Sequence, residues 1–552
     1  MKKTLAVKCK ALSMIMLAAM IMLAACGTGN VSQGETTQSE PVQNETTQSE
    51  TTQSESTQSE TSLNDSLINE ATGAYDLPME NTTFTFFIDH TWYWIDSFEG
   101  VIPKYIQEDT GVYLECTRAS DDQQLSVAIA SGDLYDMIFT SGKLSELSNS
   151  SLCYSYDELI EQYAPGWKPQ ADRIKSAKYR SGDGHYYFLA NAYQSSEMWK
   201  NAKVGVPNYP MLYYRQDILD ALGLANPTNL DELETVYDAV YAAYPDMTML
   251  VYAQAWWYQC FNNWMGVSWS TSIEDGRMVF PLSQKGYKDA MAYVNRLYRK
   301  GYMITENVDT TDDTLKEELV GSDRVFSVGH ATGSMAEGLT RNNQASNPDA
   351  QWVISGNLGG DNTKFIVSSN GWSGTFITKN CQKPDIAINF MRYLNEEGMI
   401  VSMWGREGID YNLDENNLPV FSEAWDEARE AGQGYPVYNM AFYLGSDVPT
   451  ETLSVYGYPS SITDAVDQQY RSIVQVLPEI SWCTPTADSD MGIILSKLNE
   501  LLNTERTKLV ISKTEEEFEA NWEALNNNAK AIGLEDYENY LNERYKEVLA
   551  DN

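Results

Sequence analysis

Thr83-Phe84-Thr85-Phe86-Phe87-Ile88-Asp89-His90-Thr91-Trp92-Tyr93-Trp94 is the stretch that decides the fold class. Its first six residues are Thr, Phe and Ile, side chains that suit a pleated, half-buried surface, so a strand is predicted over 83–88. Phe98, Val101, Ile102, Tyr105 and Ile106 then recur at helical spacing, and Gly111 stops that helix. A second strand is predicted over 112–116. Leu125, Ala128 and Ile129 predict a short helix ending at Gly132, and a third strand is predicted over 136–140. Strands alternating with helices at this spacing predict βαβ units, a parallel sheet and an α/β fold.

The same reading extends downstream. A strand is predicted over 211–215, then a helix over 216–222 stopped by Gly223. Pro227 breaks the chain, and Thr228-Asn229-Leu230-Asp231 reads as the capped start of another helix. Residues 287–298 are amphipathic and end near Gly301. A strand over 374–378 leads into a helix that opens at Pro384 and buries Ile386, Ala387, Phe390, Met391 and Leu394. From about Met491 onward only helices are predicted.

The N-terminal segment has a different composition. Lys2, Lys3, Lys8 and Lys10 precede an apolar run over 11–25, and Leu23-Ala24-Ala25-Cys26 closes it. A basic start, a short apolar run and small residues at a cleavage point read as an export signal over 1–25. The run is too short to span a bilayer comfortably. Beyond Cys26, Ser, Thr, Gln and Glu dominate, with Glu at 35, 40, 45, 50, 55 and 60. Nothing there can bury apolar area, so a disordered linker is predicted over 26–78. A flexible coil of about 50 residues would hold its domain on the order of 40 Å from its anchor point.

The 552-residue chain carries a formal charge of −40, and removal of residues 1–25, with four lysines and no acid, leaves about −44. Such a chain repels nucleic acid and anionic lipid. It suits a neutral ligand, or an anionic one only where a local basic cluster exists. Beyond Cys26, the cysteines are Cys116, Cys153, Cys260, Cys381 and Cys483, an odd and scattered set that predicts neither zinc nor a disulfide framework. About 475 residues remain for folding, too many for one core, so at least two lobes are expected.

Several blocks resemble the family 1 extracellular solute-binding proteins. Ile129-Ala130-Ser131-Gly132-Asp133-Leu134-Tyr135-Asp136 is similar to a family block, with Tyr135 where the family usually has Pro. Tyr213–Leu224, then Pro227 and Leu230-Asp231-Glu232-Leu233, is similar to a second block. Residues 375–394 and Gly405-Arg406-Glu407-Gly408-Ile409-Asp410-Tyr411 resemble two more, in the expected order. The Leu-Ala-Ala-Cys ending likewise resembles a bacterial lipobox, which implies cleavage before Cys26 and a lipid on its sulfur.

The resemblance implies a two-lobed periplasmic-binding-protein-like fold with the ligand in a cleft between hinge-linked lobes. Lobe one would hold 79–207 and about 370–475. Lobe two would hold 208–369 and about 476–552. The protein would be a lipid-anchored component on the extracytoplasmic face of the cell membrane, a monomer that captures a carbohydrate and delivers it to an ABC permease. No nucleic-acid partner, cofactor or metal is expected. A surface glycan-degrading enzyme and a ligand-sensing lobe for a membrane receptor remain the alternatives.

Within that frame, ligands bind outside the carboxyl ends of the strands. This places Asp89, Trp92 and Trp94 after the first strand, Asp121 after the second, and Thr140 and Ser141 after the third. In lobe two it brings in Tyr213 and Arg215, which share a strand face, and the aromatic pair Trp256 and Trp257. Trp372 falls near a return crossing. Flat rings pack on the C–H faces of sugars while polar groups bond the hydroxyls. Arg215 has a second reading, a pairing with Asp217 or another carboxylate. Asp410, Asn412, Asp414 and Asn416 mimic alternating calcium ligands, but Glu415 stands where a calcium loop needs Gly, so a hairpin between 411–413 and 418–421 is predicted.

Overall fold

Phe84, Phe86, Phe87 and Ile88 lie at 2% exposure or less, because the first predicted strand becomes an inner strand of a sheet covered on both faces. The computed structural model describes residues 67–91, 93, 95–203, 210–253, 258–308, 313–330, 335–430, 445, 447–450, 462–486 and 489–551. The strands that build the two main sheets and the passage between them are, in chain order, Thr82–Ile88 (β1), Val112–Arg118 (β2), Met137–Thr140 (β3), Ala190–Asn191 (β4), Met211–Arg215 (β5), Thr248–Tyr252 (β6), Val325–His330 (β7), Trp352–Ile354 (β8), Phe365–Val367 (β9), Ser373–Ile377 (β10) and Val474–Val476 (β11).

Sheet one has the order β2-β1-β3-β10-β4. β1 is parallel to β2 and β3, as the strand–helix alternation predicts, while β10 runs antiparallel to β3 and β4. Sheet two has the order β8-β5-β7-β6, with β6 and β7 parallel and β5 antiparallel to both β7 and β8. β9 pairs in parallel with β11 as a separate two-stranded ladder.

Each sheet has its own core, which is what makes the fold two-lobed. Around sheet one, Phe86, Ile102, Leu114, Ile138, Phe376 and Phe390 form one cluster. The helix Pro384–Asn395 opens on proline at its first turn and buries Ile386 through Leu394 against that core. Sheet two buries both faces, so alternate residues serve different clusters. Leu212, Tyr214, Leu250 and Phe326 face the helices Leu230–Ala243 and Tyr287–Arg299, while Met211, Tyr213, Val251 and Val328 face β9 and β11. The three terminal helices, Asp490–Ile511, Glu515–Ile532 and Leu534–Ala550, complete the first of these clusters. Asn295 locks them in place by donating to the carbonyls of Val510 at 2.9 Å and Ser512 at 2.7 Å.

Two boundaries differ from the sequence reading. Residues 67–78, predicted as the end of the linker, hold a strand pair, Ile68–Asn69 with Ala74–Tyr75. Tyr75 docks it on lobe one, its N–H donating to Asn389 Oδ1 at 3.0 Å and its hydroxyl to Asp385 at 3.2 Å. Residues 462–475, predicted in lobe one, pack on sheet two through Ile462, Tyr470 and Val474. The Tyr470 hydroxyl donates to the Ser355 carbonyl at 2.8 Å. In each place a tyrosine makes the docking hydrogen bonds, and its partners are distant in sequence.

Cys153, Cys260, Cys381 and Cys483 are buried free thiols and Cys116 is partly exposed. The 411–421 segment forms the predicted hairpin, and Asp414 caps its turn by accepting from the N–H groups of Asn416 and Leu418, each at 2.8 Å. Among the described residues no group of His, Cys, Asp and Glu could hold a metal ion, and no helix is long and apolar enough to cross a membrane. Cys26, the export signal and residues 26–66 of the linker lie outside the described residues.

Candidate functional site

β1, β2 and β3 are parallel, so their carboxyl ends, Ile88, Arg118 and Thr140, share one edge of sheet one. β10 runs the other way and brings its amino end to the same edge, with Ser373 opposite Asn191 and Gly374 opposite Thr140. This edge gathers Asp89, Asp121, Thr140, Ser141 and Trp372. Thr140 is fully buried, and its hydroxyl donates to Asp89 Oδ2 at 2.7 Å. Thr140 Oγ1 in turn accepts from the N–H of Gly142 at 3.2 Å and of Lys143 at 3.3 Å. Burial pushes the Asp89 carboxyl above its ordinary pKa, against the pull of the Thr140 hydrogen bond and Lys143. Asp121 is exposed in the loop after β2, where its carboxylate accepts from the Gln123 N–H at 2.9 Å.

The aromatic part of the rim is assembled by tertiary contact. The half-buried Trp372 ring lies 5.4 Å from His90 and 5.7 Å from Phe139, and His90 meets Phe139 edge-on at 5.0 Å. Burial pushes the His90 imidazole down to about 4, so it is neutral at neutral pH and serves as a packing surface. A Cβ at Gly371 would come within 2.5 Å of Ala190 Cβ and 2.6 Å of the Asn191 carbonyl, so only glycine lets the crossing run this close to β4. Beside it, Asn370 is 1% exposed, its carbonyl accepts from the Gln194 N–H at 3.2 Å, and its Nδ2 has no hydrogen-bond partner among the described residues.

The lobe-two residues read from sequence fall differently. β5 begins beside the carboxyl end of β7, Met211 opposite His330, and runs away from it. Arg215 therefore sits at the opposite edge of sheet two, about 13 Å along the strand. Its guanidinium is 1% exposed and clamps Asp217, through Nε at 2.7 Å, and also Asp323. It takes the pairing role rather than the ligand role. Tyr213 is wholly buried in the core that faces β9 and β11. Trp92, Trp94, Trp256 and Trp257 lie outside the described residues.

A cavity of about 600 Å³ adjoins the hinge. Ser368 and Ser369 line it immediately before Asn370, and Ser481 lines it after β11. Lobe two contributes Gln259 and Trp269, lobe one contributes Arg180 from the end of the helix Ala171–Ser181, and the helix Asp490–Ile511 contributes Arg506. The crossing 368–372 thus serves both the cavity and the rim. Arg180 makes no hydrogen bond or ion pair among the described residues, and burial pulls its pKa below the ordinary value. Burial acts the same way on Arg506, but the Tyr258 and Tyr287 hydroxyls outweigh it and hold that guanidinium above its ordinary pKa. Arg180, Gln259, Trp269 and Arg506 were not legible as site residues, since each comes from a separate element and none belongs to a local motif.

The comparisons agree with the two-lobed fold. Residues 97–405 match the family model of the bacterial extracellular solute-binding proteins. The polygalacturonan/rhamnogalacturonan-binding protein YtcQ of Bacillus subtilis (strain 168) is 23% identical over 348 residues, covering 57% of this chain and 64% of that protein. The fructooligosaccharide ABC transporter substrate-binding protein FusA of Streptococcus pneumoniae serotype 4 is 20% identical over 484 residues, covering 80% of this chain and 86% of that protein. Among solved structures, the alginate-binding protein AlgQ2 superposes with a TM-score of 0.63 at 16% identity, covering 87% of this chain and 100% of that one. That likeness shows a shared two-lobed fold.

Proposed function

This chain belongs to the bacterial extracellular solute-binding protein family, and from that premise we propose that it captures an oligosaccharide between its lobes and delivers it to an ABC permease. The observation that carries the reading is the double service of the crossing 368–372, which lines a cavity shared with lobe two and ends in Trp372 at the lobe-one rim. An aromatic face, carboxylates, amides and hydroxyls around one hinge match what a sugar presents, apolar C–H faces bounded by a polar edge. Carbohydrate-binding names among the relatives support the same class of ligand.

The mechanism is hinge closure. A ligand that touches both lobes binds the closed form better and shifts the population toward it by that difference. Transport energy comes from an ATPase elsewhere, so the chain acts as a binding protein and not as an enzyme. Cys26 carries the lipid, the 26–66 segment is the tether, and the protein works as a monomer on the extracytoplasmic face. Trp92 and Trp94 are candidate sugar-stacking rings because they follow the carboxyl end of β1 in the sequence, and Trp256 and Trp257 because they follow that of β6.

Small-angle scattering on the mature chain, with and without a pool of plant and host oligosaccharides that it binds by calorimetry, tests this. The radius of gyration should fall on binding. An unchanged radius under saturation, or new product in the pool after incubation, would overturn closure or the non-enzymatic role respectively.

A further inference from the structure

The cavity beside the hinge has an electrostatic character opposite to the rest of the molecule. The chain carries 78 acidic residues against 38 Lys and Arg, yet no Asp or Glu is found among the described residues that line this cavity, and two arginines are. Several other arginines are held by carboxylates. Arg118 holds Asp96, Arg215 holds Asp217 and Asp323, Arg392 holds Glu396 and Glu397, and Arg406 holds Glu108 and Asp109. Among the described residues Arg180 has no such partner, and Arg506 bonds the Leu502 carbonyl at 3.1 Å, the Asn503 amide oxygen at 2.7 Å and the Tyr258 hydroxyl, none of them an anion. A partly desolvated guanidinium without an anion is costly, and the cost is removed when a ligand brings one.

Two further groups say what else that ligand carries. Gln259 is 2% exposed, and its Oε1 is buried without a hydrogen-bond partner among the described residues. An amide oxygen only accepts, so it calls for a donor such as a hydroxyl. Trp269 is 43% exposed and offers a ring to an apolar face. An inorganic anion would answer the arginines alone, and a neutral sugar only Gln259 and Trp269. A sugar acid answers all of them.

We infer that this cavity receives a uronic acid residue of an oligosaccharide, with Arg180 binding its carboxylate and Arg506 supplying the second positive charge. The inference rests on the oligosaccharide reading above and narrows it to acidic glycans.

Calorimetric titration of the mature chain tests it. The probes are oligouronates from pectate, alginate and hyaluronan digests, the same oligosaccharides after reduction of their carboxyl groups to alcohols, and inorganic phosphate. At least one oligouronate should bind, and its reduced form should bind on the order of 10- to 100-fold more weakly, the worth of a charge-assisted hydrogen bond. Arg180→Gln should abolish that preference, Arg180→Lys should restore part of it, and Arg506→Gln, checked for folding by thermal melt, should reduce it. Tight binding of neutral oligosaccharides alone, binding of phosphate alone, or an acid preference that survives Arg180→Gln would overturn the uronate assignment. In the first of these cases oligosaccharide capture stands. If neither acidic nor neutral oligosaccharides bind, both readings fall.

Discussion

The Thr140 hydroxyl donates a 2.7 Å hydrogen bond to Asp89, tying the carboxyl end of β3 to that of β1 where the lobe-one rim begins. The tie holds a half-buried carboxylate in place at an energetic cost, since burial raises the Asp89 pKa. A raised carboxyl pKa means that the folded protein binds the proton more tightly than the unfolded chain. Stability is therefore lost as pH rises from the ordinary value of 3.8 through the raised one, and the loss persists at neutral pH. Asp89→Asn keeps an acceptor for Thr140 and removes that loss. It should melt higher than wild type at pH 7, with the gain vanishing in acid. It should also bind oligosaccharide about 5- to 150-fold more weakly, about 1–3 kcal/mol. A lower melting point with unchanged affinity would remove Asp89 from the site.

Trp372→Ala should cost affinity more than stability. Its ring is half-buried and meets His90 and Phe139 at the rim, so loss of one stacking face is worth about 1–3 kcal/mol of binding. Trp352→Ala is the contrast. That ring is 1% exposed with its N–H on Asn343 at 3.0 Å, and truncation should cost about 3–5 kcal/mol of stability. Urea melts and calorimetric titration of both variants separate the roles.

Arg215→Met should destabilise by roughly 3 kcal/mol and leave affinity intact, because it strands Asp217 and Asp323 at an edge away from the rim. An affinity loss without a stability loss would return Arg215 to the binding site.

Gly371→Ala should weaken both folding and binding. The added methyl group meets Ala190 and Asn191 at 2.5 and 2.6 Å, and the overpacking should cost about 1–3 kcal/mol by urea melt. A variant as stable as wild type would mean that the crossing can shift freely.

Cys26→Ala should abolish lipidation and release the protein from detergent-phase partitioning, since that thiol follows the small-residue cleavage site. Mass spectrometry of the mature N-terminus checks it. A wild-type chain that starts elsewhere without lipid would refute the anchor.

Local chemistry determined a large part of this molecule from the sequence alone. β1 to β3, the helix Gln216–Leu222 stopped at Gly223, the proline-opened helix Pro384–Asn395 and the three terminal helices are each encoded within a few residues, by apolar spacing, caps and glycine stops. The α/β class follows from their alternation, and the rim residues Asp89, Asp121, Thr140 and Ser141 follow because a strand's carboxyl end is itself a local feature. Only the tertiary structure decided that β10 joins sheet one and brings Trp372 to His90, that β5 runs antiparallel so that Arg215 faces Asp323 at the far edge, and that positions 180, 259, 269 and 506 line one cavity. These are contacts between residues tens to hundreds of positions apart. Their energy comes from burial and charge pairing across elements, and no local pattern in the chain records it.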